Sequence, residues 1–222
     1  KLVIIACNTA TAAGLQAAQL RFPVPVIGVV DPGARAAAHA TRSRTVGVIA
    51  TRGTVASGAY ERAIHHIDAG IEVVSLATPP FVELVEQGLQ ACSDAVAATD
   101  AAQLFRASDH GAMVREVLAP LRGLPIDTLV LGCTHYPVIR HLIAEAMGPK
   151  VTLVSSAEEA ARDAEAILRR RGALADPERL AARTFFTTGS DMEDFERFGS
   201  LVLGSPTGGV QHLDLPAWKE GR

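Results

Sequence analysis

Short, continuous apolar runs alternate along this chain with longer stretches whose apolar residues recur every three or four positions. Uninterrupted apolar runs are typical of strands buried on both faces, and the longer periodicity indicates amphipathic helices. The predicted strands cover residues 3–6, 26–29, 45–49, 71–75, 128–131, 151–154 and 184–186. The predicted helices cover residues 12–22, 33–40, 54–67, 80–88, 111–121, 138–147 and 157–171. Because strands that alternate with helices are joined by right-handed crossovers, we predict an α/β fold with mostly parallel sheets.

The predicted elements divide into two similar α/β lobes, each a sheet flanked by helices, with an active site in the cleft between them. The polar, basic stretch 41–44 and the serine pair 155–156 are the points where we expect the chain to pass between lobes. We therefore assign residues 1–41 and 156–222 to the first lobe and residues 42–155 to the second. Residues 90–109 are rich in alanine, aspartate and serine, and we interpret them as a surface insertion in which Cys92 is inert.

Composition excludes several classes of protein. The formal net charge is −3 and 20% of the residues are charged, so no overall basic field favours nucleic acid. No apolar stretch is long enough to span a bilayer, and the apolar opening lacks the basic start and small-residue cleavage site that are typical of a signal peptide. Three cysteines without close pairing fit a reducing compartment. We expect a cytoplasmic enzyme with a small-molecule substrate and with neither a nucleic-acid nor a membrane partner.

Two cysteines stand at equivalent positions, where a predicted strand gives way to a helical pattern. Cys7 follows the run 2–6 and Cys133 follows the run 129–132. Open α/β sheets bind ligands at such corners, where helix-start amides favour negative charge. Asn8 and Thr9 after the first thiol, and Thr134 and His135 after the second, add side-chain donors suited to a carboxylate. The pair predicts chemistry in which one thiol takes a proton and the other gives one.

The same residues also fit structural and metal-binding roles. A single cysteine at the end of a buried strand often only fills space, but a space-filling cysteine has no need of the polar residues that follow it. Cys133 and His135 also resemble half of a metal site, yet no compact second ligand pair completes a tetrahedral set. The run 169–171 of three arginines could suggest nucleic-acid binding. It ends a predicted helix, however, where cations complement the helix dipole, and this structural role is favoured.

The sequence around both cysteines closely resembles the glutamate racemases, which interconvert L- and D-glutamate without a cofactor. Their motifs Ala-Cys-Asn-Thr-Ala-Thr-Ala and Leu-Gly-Cys-Thr-His-Tyr-Pro stand unbroken at residues 6–12 and 131–137. The resemblance extends to residues 50–54, 80–88 and 185–190. The related aspartate racemases usually follow the second cysteine with Thr-Glu, so His135 favours glutamate.

The resemblance implies a role for each matching residue. Cys7 would take the α-proton from D-glutamate and Cys133 from L-glutamate, with His135 and Glu86 assisting on the second side. The implied substrate-binding residues are Asn8, Thr9, Thr134, His135, Thr51 and Thr54, the last two being equally suited to cap the helix predicted at 54–67. The implied biological role is to supply D-glutamate for peptidoglycan precursors, and the resemblance is compatible with a homodimer. Glu86 alternatively faces water, as charged residues late in a helix usually do.

The chemistry points the same way. No lysine for a Schiff base and no glycine-rich dinucleotide loop accompanies the motifs, so amides and polar side chains must stabilise the carbanion. A free thiol has a pKa of roughly 8.5, so the site must lower the pKa of one of the two cysteines.

Because the family's earlier strand and its Pro-Tyr-Gly loop are missing, we expect an amino-terminal truncation. Two alternatives stay open, namely a racemase of aspartate or another small amino acid, and a truncated relative that serves as an interaction module.

Overall fold

The computed structural model describes residues 1–90, 105 and 108–215. Its strands are β1 Val3–Ile5, β2 Val26–Gly28, β3 Thr45–Ala50, β4 Glu72–Ala77, β5 Thr128–Gly132, β6 Thr152–Ser155, β7 Phe185–Thr187 and β8 Val210–His212. Its helices are α1 Asn8–Arg21, α2 Val30–Ala40, α3 Arg52–Ala56, α4 Ala59–Ile67, α5 Pro79–Gln90, α6 Ser108–Val117, α7 Arg140–Met147, α8 Ser156–Arg170 and α9 Met192–Leu203. Two short 3₁₀ helices lie at Ala119–Leu121 and Tyr136–Ile139.

Every strand pair in the described residues is parallel, which confirms the predicted α/β class. One sheet has four strands in the order β4-β3-β5-β6, and its two central strands, β3 and β5, are buried along their whole length. Two further pairs, β1 with β2 and β7 with β8, form separate two-stranded sheets. Both apolar faces of the large sheet are covered by helices, as is usual for parallel sheets.

Alternation along β3 and β5 divides the core into two layers. On one face Val46, Val48 and Val130 pack with Tyr60 and Ile64 of α4 and with small residues of α2. The other face carries a second cluster, in which Ile49, Leu129 and Leu131 pack with side chains from α5, α6 and α7 such as Phe81, Val114 and Ile143. Successive strand side chains point to opposite faces, so a continuous apolar run serves both layers at once.

Helix α2 packs against the four-stranded sheet through Val30, Ala34 and Ala37, although the sequence assigns it to the first lobe. Asp127, just before β5, holds the predicted junction at 41–44 in place. Its carboxylate accepts hydrogen bonds from the Thr41 hydroxyl and from the backbone N–H groups of Arg42 and Ser43, each at 2.7 Å. The division into lobes 1–41 with 156–222 and 42–155 stays a prediction.

The structure departs from the predicted elements at a few places. The single helix predicted at 54–67 is two helices, because Gly58 adopts a left-handed conformation with φ of 61° between α3 and α4. The helix predicted at 138–147 is preceded by the 3₁₀ turn Tyr136–Ile139. The sequence interpretation omitted α9 and β8. The insertion predicted at 90–109, with Cys92, lies mostly outside the described residues. Within the described part of the chain, no helix is both long and apolar enough to cross a membrane.

Candidate active site

Cys7 lies at the amino-terminal cap of α1, with its thiol exposed. Its backbone is extended, with φ of −92° and ψ of 128°, and its carbonyl accepts the first helical hydrogen bond from Thr11 N at 2.8 Å. The side chain makes no capping hydrogen bond, and the first turn of α1 carries no acidic residue. The free N–H groups and the dipole of a 14-residue helix therefore face the space in front of this thiol.

Cys133 occupies a different kind of corner. It follows β5 directly, is 8% exposed, and its carbonyl accepts a hydrogen bond from Tyr136 N at 3.3 Å, where the 3₁₀ turn begins. The expectation that each cysteine opens an α-helix is therefore correct for Cys7 and wrong for Cys133. A single 3₁₀ turn aligns few peptide dipoles, so the second thiol depends on side chains for its polar surroundings.

His135 supplies those surroundings. Its Nδ1 lies 3.7 Å from Cys133 Sγ and 3.4 Å from Thr134 Oγ1, and its Nε2 lies 2.8 Å from Glu86 Oε1. The ring of Phe198, from α9, packs edge-on against the imidazole with centroids 6.3 Å apart. Hydrogen bonding to Cys133 raises the pKa of His135 most, partial burial opposes the rise, and Glu86 adds to it. The exposed Glu86 carboxylate thus contacts the imidazole and also faces water, and its assisting role stays a prediction.

Three threonine hydroxyls join the start of α1 to the end of β3. Thr9 Oγ1 lies 2.9 Å from Thr51 Oγ1 and 3.0 Å from Thr54 Oγ1. Thr51 also caps α3, since its hydroxyl accepts a hydrogen bond from Thr54 N at 3.3 Å. The capping interpretation is therefore correct for Thr51, and the same hydroxyl lies beside the first cysteine's helix.

Asn8 links the two cysteine corners through Tyr60, a residue that the sequence interpretation missed. The buried Tyr60 hydroxyl donates to Asn8 Oδ1 at 2.7 Å. The edge of the same ring, at Cε2, would lie 3.1 Å from a Cβ added to Gly132, which immediately precedes Cys133. One aromatic ring therefore spans from the residue after Cys7 to the residue before Cys133. The Asn8 Nδ2 atom is buried and has no hydrogen-bond partner.

Tyr136 anchors the loop that carries Cys133 and His135. Its fully buried ring packs edge-on against Phe81, with centroids 5.5 Å apart, and its hydroxyl is hydrogen-bonded to the hydroxyl and carbonyl oxygens of Thr78 at 2.8 and 3.1 Å. Burial raises the pKa of Tyr136 far above its usual value, so this hydroxyl keeps its proton. Thr78, at the end of β4, was also missed, because a single threonine gives no signal of a long-range contact.

Metal ligation at Cys133 and His135 would need further ligands nearby. Among the described residues, no group of three or more histidine, cysteine, aspartate or glutamate side chains is arranged to hold a metal ion.

The fold is thus a parallel α/β class of protein in which each of two sheets carries one thiol at a strand end, with hydrogen-bonding side chains beside it. Residues 1–164 match the sequence model of the Asp/Glu/Hydantoin racemase family. The chain belongs to this family, and by that membership it is a racemase, an enzyme of the isomerase class.

Relatives with curated names and solved structures support the assignment. The chain is 43% identical to a glutamate racemase of Bacillus cereus, over 97% of this chain and 74% of the relative, and 43% identical to one of Geobacter metallireducens, over 99% and 76%. A crystal structure of a Bacillus anthracis glutamate racemase superposes with a TM-score of 0.82 at 41% identity, covering 97% of this chain and 74% of that one. A Francisella tularensis glutamate racemase in complex with D-glutamate gives a TM-score of 0.82 at 27% identity, covering 98% and 75%.

Proposed function

We propose that this protein interconverts L- and D-glutamate without a cofactor, using the thiols of Cys7 and Cys133 as the two acid–base groups. The observation that carries the proposal is the connection of the two thiol corners through Asn8, Tyr60 and Gly132. Relatives named glutamate racemase at 40–43% identity support glutamate as the substrate. We place the enzyme in the cytoplasm, as a homodimer that supplies D-glutamate for peptidoglycan precursors.

The reaction is redox-neutral and needs two groups. One cysteine, as thiolate, removes the α-proton, and the C–H electron pair stays on the substrate as a carbanion. The other cysteine, as thiol, delivers its proton to the opposite face and forms the new C–H bond. A single base would tend to return the proton to the face that it left, so two groups on opposite faces account for inversion.

The Cys7 side offers fixed donors to the substrate carboxylate. The start of α1 presents unpaired backbone N–H groups, and Asn8 Nδ2 is a buried donor without a partner. Thr9, with Thr51 and Thr54, adds hydroxyls at the same end of the helix. The oriented backbone N–H groups stabilise the charge that develops when the α-proton leaves, whereas Asn8 and the threonines hold the carboxylate in place.

The Cys133 side carries a proton relay. When the His135 Nε2–H donates to Glu86, the Nδ1 atom of the neutral imidazole accepts the proton of the Cys133 thiol. The resulting imidazolium then donates from both ring nitrogens, to the thiolate and to the carboxylate. The raised pKa of His135 favours this charged form, and the hydrogen bond with Cys133 contributes most to the rise. Thr134, within 3.4 Å of the same ring, completes the proposed substrate-binding set.

Hydrogen exchange in deuterated water tests the proposal. With L-glutamate, we expect D-glutamate to carry deuterium at Cα when it first forms, while recovered L-glutamate acquires little, because separate acids serve the two faces. Thiol alkylation should abolish activity, and glutamate should protect, since the substrate covers both sulfurs. Parallel reactions with L-aspartate serve as the matched control for substrate choice.

Each alternative has its own outcome. Exchange with aspartate but not glutamate would overturn the substrate assignment, and exchange with neither would favour an interaction module. Equal early labelling of both enantiomers would contradict the two-base mechanism. Loss of activity on exhaustive chelation would support a metal at Cys133 and His135.

A further inference from the structure

The hydroxyl of Tyr60 lies at a buried point where four helices meet. Tyr60 belongs to α4 and is 2% exposed, and its hydroxyl donates to Asn8 Oδ1 at the start of α1. The side chain of Ser156, the first residue of α8, also lies near this hydroxyl. A Cβ added to Gly33 of α2 would lie 3.3 Å from it.

We propose that Tyr60 is a positioning residue that holds the Asn8 amide with its NH₂ group directed at the carboxylate of the bound amino acid. This inference rests on the proposed function, in which Asn8 binds substrate.

The amide of asparagine has an acceptor end and a donor end, and a contact to one end decides where the other points. The Tyr60 O–H occupies the acceptor, Oδ1, at 2.7 Å. The opposite end, Nδ2, is buried without a partner in a residue that is only 3% exposed. Because a buried donor left unpaired is costly, Nδ2 needs an acceptor, and the adjacent exposed Cys7 opens this position to a ligand.

Tyr60 has little freedom to turn its hydroxyl elsewhere. The ring edge would lie 3.1 Å from a Cβ on Gly132 and the hydroxyl 3.3 Å from a Cβ on Gly33, so both glycines leave room for the tyrosine in this position. Burial raises the pKa of Tyr60 far above its usual value, the nearby Ser156 side chain opposes the rise, and Asp31 and Cys133 add to it. The hydroxyl therefore stays protonated and remains a donor to Asn8 through the neutral pH range.

Tyr60→Phe tests the proposal by removing the hydroxyl and keeping the ring. We expect KM for glutamate to rise about tenfold, the loss of roughly one well-oriented hydrogen bond, while kcat changes by less than about twofold. The split arises because Asn8 holds the substrate carboxylate and does not transfer the α-proton. A variant in which kcat falls and KM does not would overturn the assignment.

A double-mutant cycle separates positioning from a general loss of stability. If Tyr60 acts through Asn8, the double variant should have the same KM as Asn8→Ala alone. If the two residues act independently, the increases in KM of the two single variants should multiply. Multiplicative effects would overturn the proposal.

Thr11→Val is the matched control on the same helix. The buried Thr11 hydroxyl donates to Ile5 O at 2.9 Å and accepts from Val29 N at 3.3 Å, so its loss destabilises α1 without touching Asn8. We expect a lower melting temperature with KM near that of the wild type.

The activity of the wild-type enzyme separates this inference from the proposed function. A wild type that does not racemise glutamate overturns the proposed function and this inference with it. A wild type that racemises glutamate, with Tyr60→Phe at the parental KM, overturns the inference alone.

Discussion

Gly132, the last residue of β5, is the position at which the structure tolerates least change beside the candidate site. A Cβ added there would lie 2.9 Å from the Ile49 carbonyl oxygen, 3.1 Å from Ala50 Cβ and 3.1 Å from Tyr60 Cε2. The first neighbour is backbone of the paired strand β3, which cannot move without disturbing its hydrogen bonds. Gly132→Ala must therefore push apart β3 and α4 or displace the following Cys133.

The expected cost follows from these contacts. Overpacking a buried site by one methyl group typically costs ~1–3 kcal/mol, and replacing glycine by alanine recovers ~0.4–1 kcal/mol from the unfolded chain. We expect the free energy of unfolding to fall by about 1–2 kcal/mol, which corresponds to a lower melting temperature by roughly 2–8 °C in a chain of this size. Urea and thermal unfolding measure both, and racemisation should fall together with stability because Tyr60 and Cys133 both border the added methyl group.

Gly47→Ala in β3 is the matched control. Its added Cβ would lie 2.7 Å from Leu129 Cδ1 and 3.3 Å from Cδ1 and Cγ2 of Ile126, so its nearest neighbour is the end of a flexible side chain and none of the three is backbone. We expect a loss below about 1 kcal/mol, since such atoms adjust by small rotations. Equal destabilisation by the two variants, or a Gly132→Ala enzyme as stable and active as the wild type, would refute the reasoning about rigid neighbours.

Substitutions at the thiols, at Glu86 and at Asp127 test the site and the core. In Cys7→Ser and in Cys133→Ser, racemisation should fall about a hundredfold or more, while water elimination from one enantiomer of β-hydroxyglutamate persists in each; two variants that racemise normally would exclude the thiols as bases. Glu86→Gln should lower the pKa of His135, moving the corresponding limb of the pH–rate profile and the imidazole NMR titration to lower pH, and an unmoved titration would contradict the contact. Hydrogen bonds hold the pKa of Asp127 below its usual range against the effect of burial, so its stabilisation is present above about pH 4 and is lost on acidification; the unfolding free energies of wild type and Asp127→Asn should converge as the pH falls.

The parallel strands and both cysteine corners were accessible from sequence because they are local features. Each predicted strand is present within two residues of its predicted bounds, since a continuous apolar run reports burial on both faces directly. The motifs around Cys7 and Cys133 are contiguous as well. A signal for α9 was also present: Asp191 caps the helix by accepting from Asp194 N, and glycine follows the last turn at Gly204.

The contacts that organise the site could not be read from the sequence. Tyr60 and Asn8 are 52 positions apart, and helical periodicity indicates that Tyr60 faces inward without indicating its partner. Glu86 and His135 are 49 positions apart, and an exposed glutamate late in a helix gives no sign of an imidazole beside it. Such pairs depend on how the strands order themselves in the sheet, which local patterns leave undetermined.

The two thiols, alike in sequence, differ in how the structure surrounds them. Cys7 is exposed and stands at the start of a full α-helix, so backbone groups provide its polar environment. Cys133 is buried and precedes only a 3₁₀ turn. Its polar environment comes from the imidazole of His135, which contacts the thiol and is itself hydrogen-bonded to Glu86. A backbone field does not titrate in the neutral pH range, whereas an imidazole does. Under the proposed mechanism, removal of the proton by Cys133 should therefore depend on pH more steeply than removal by Cys7, even though the two motifs are equivalent along the chain.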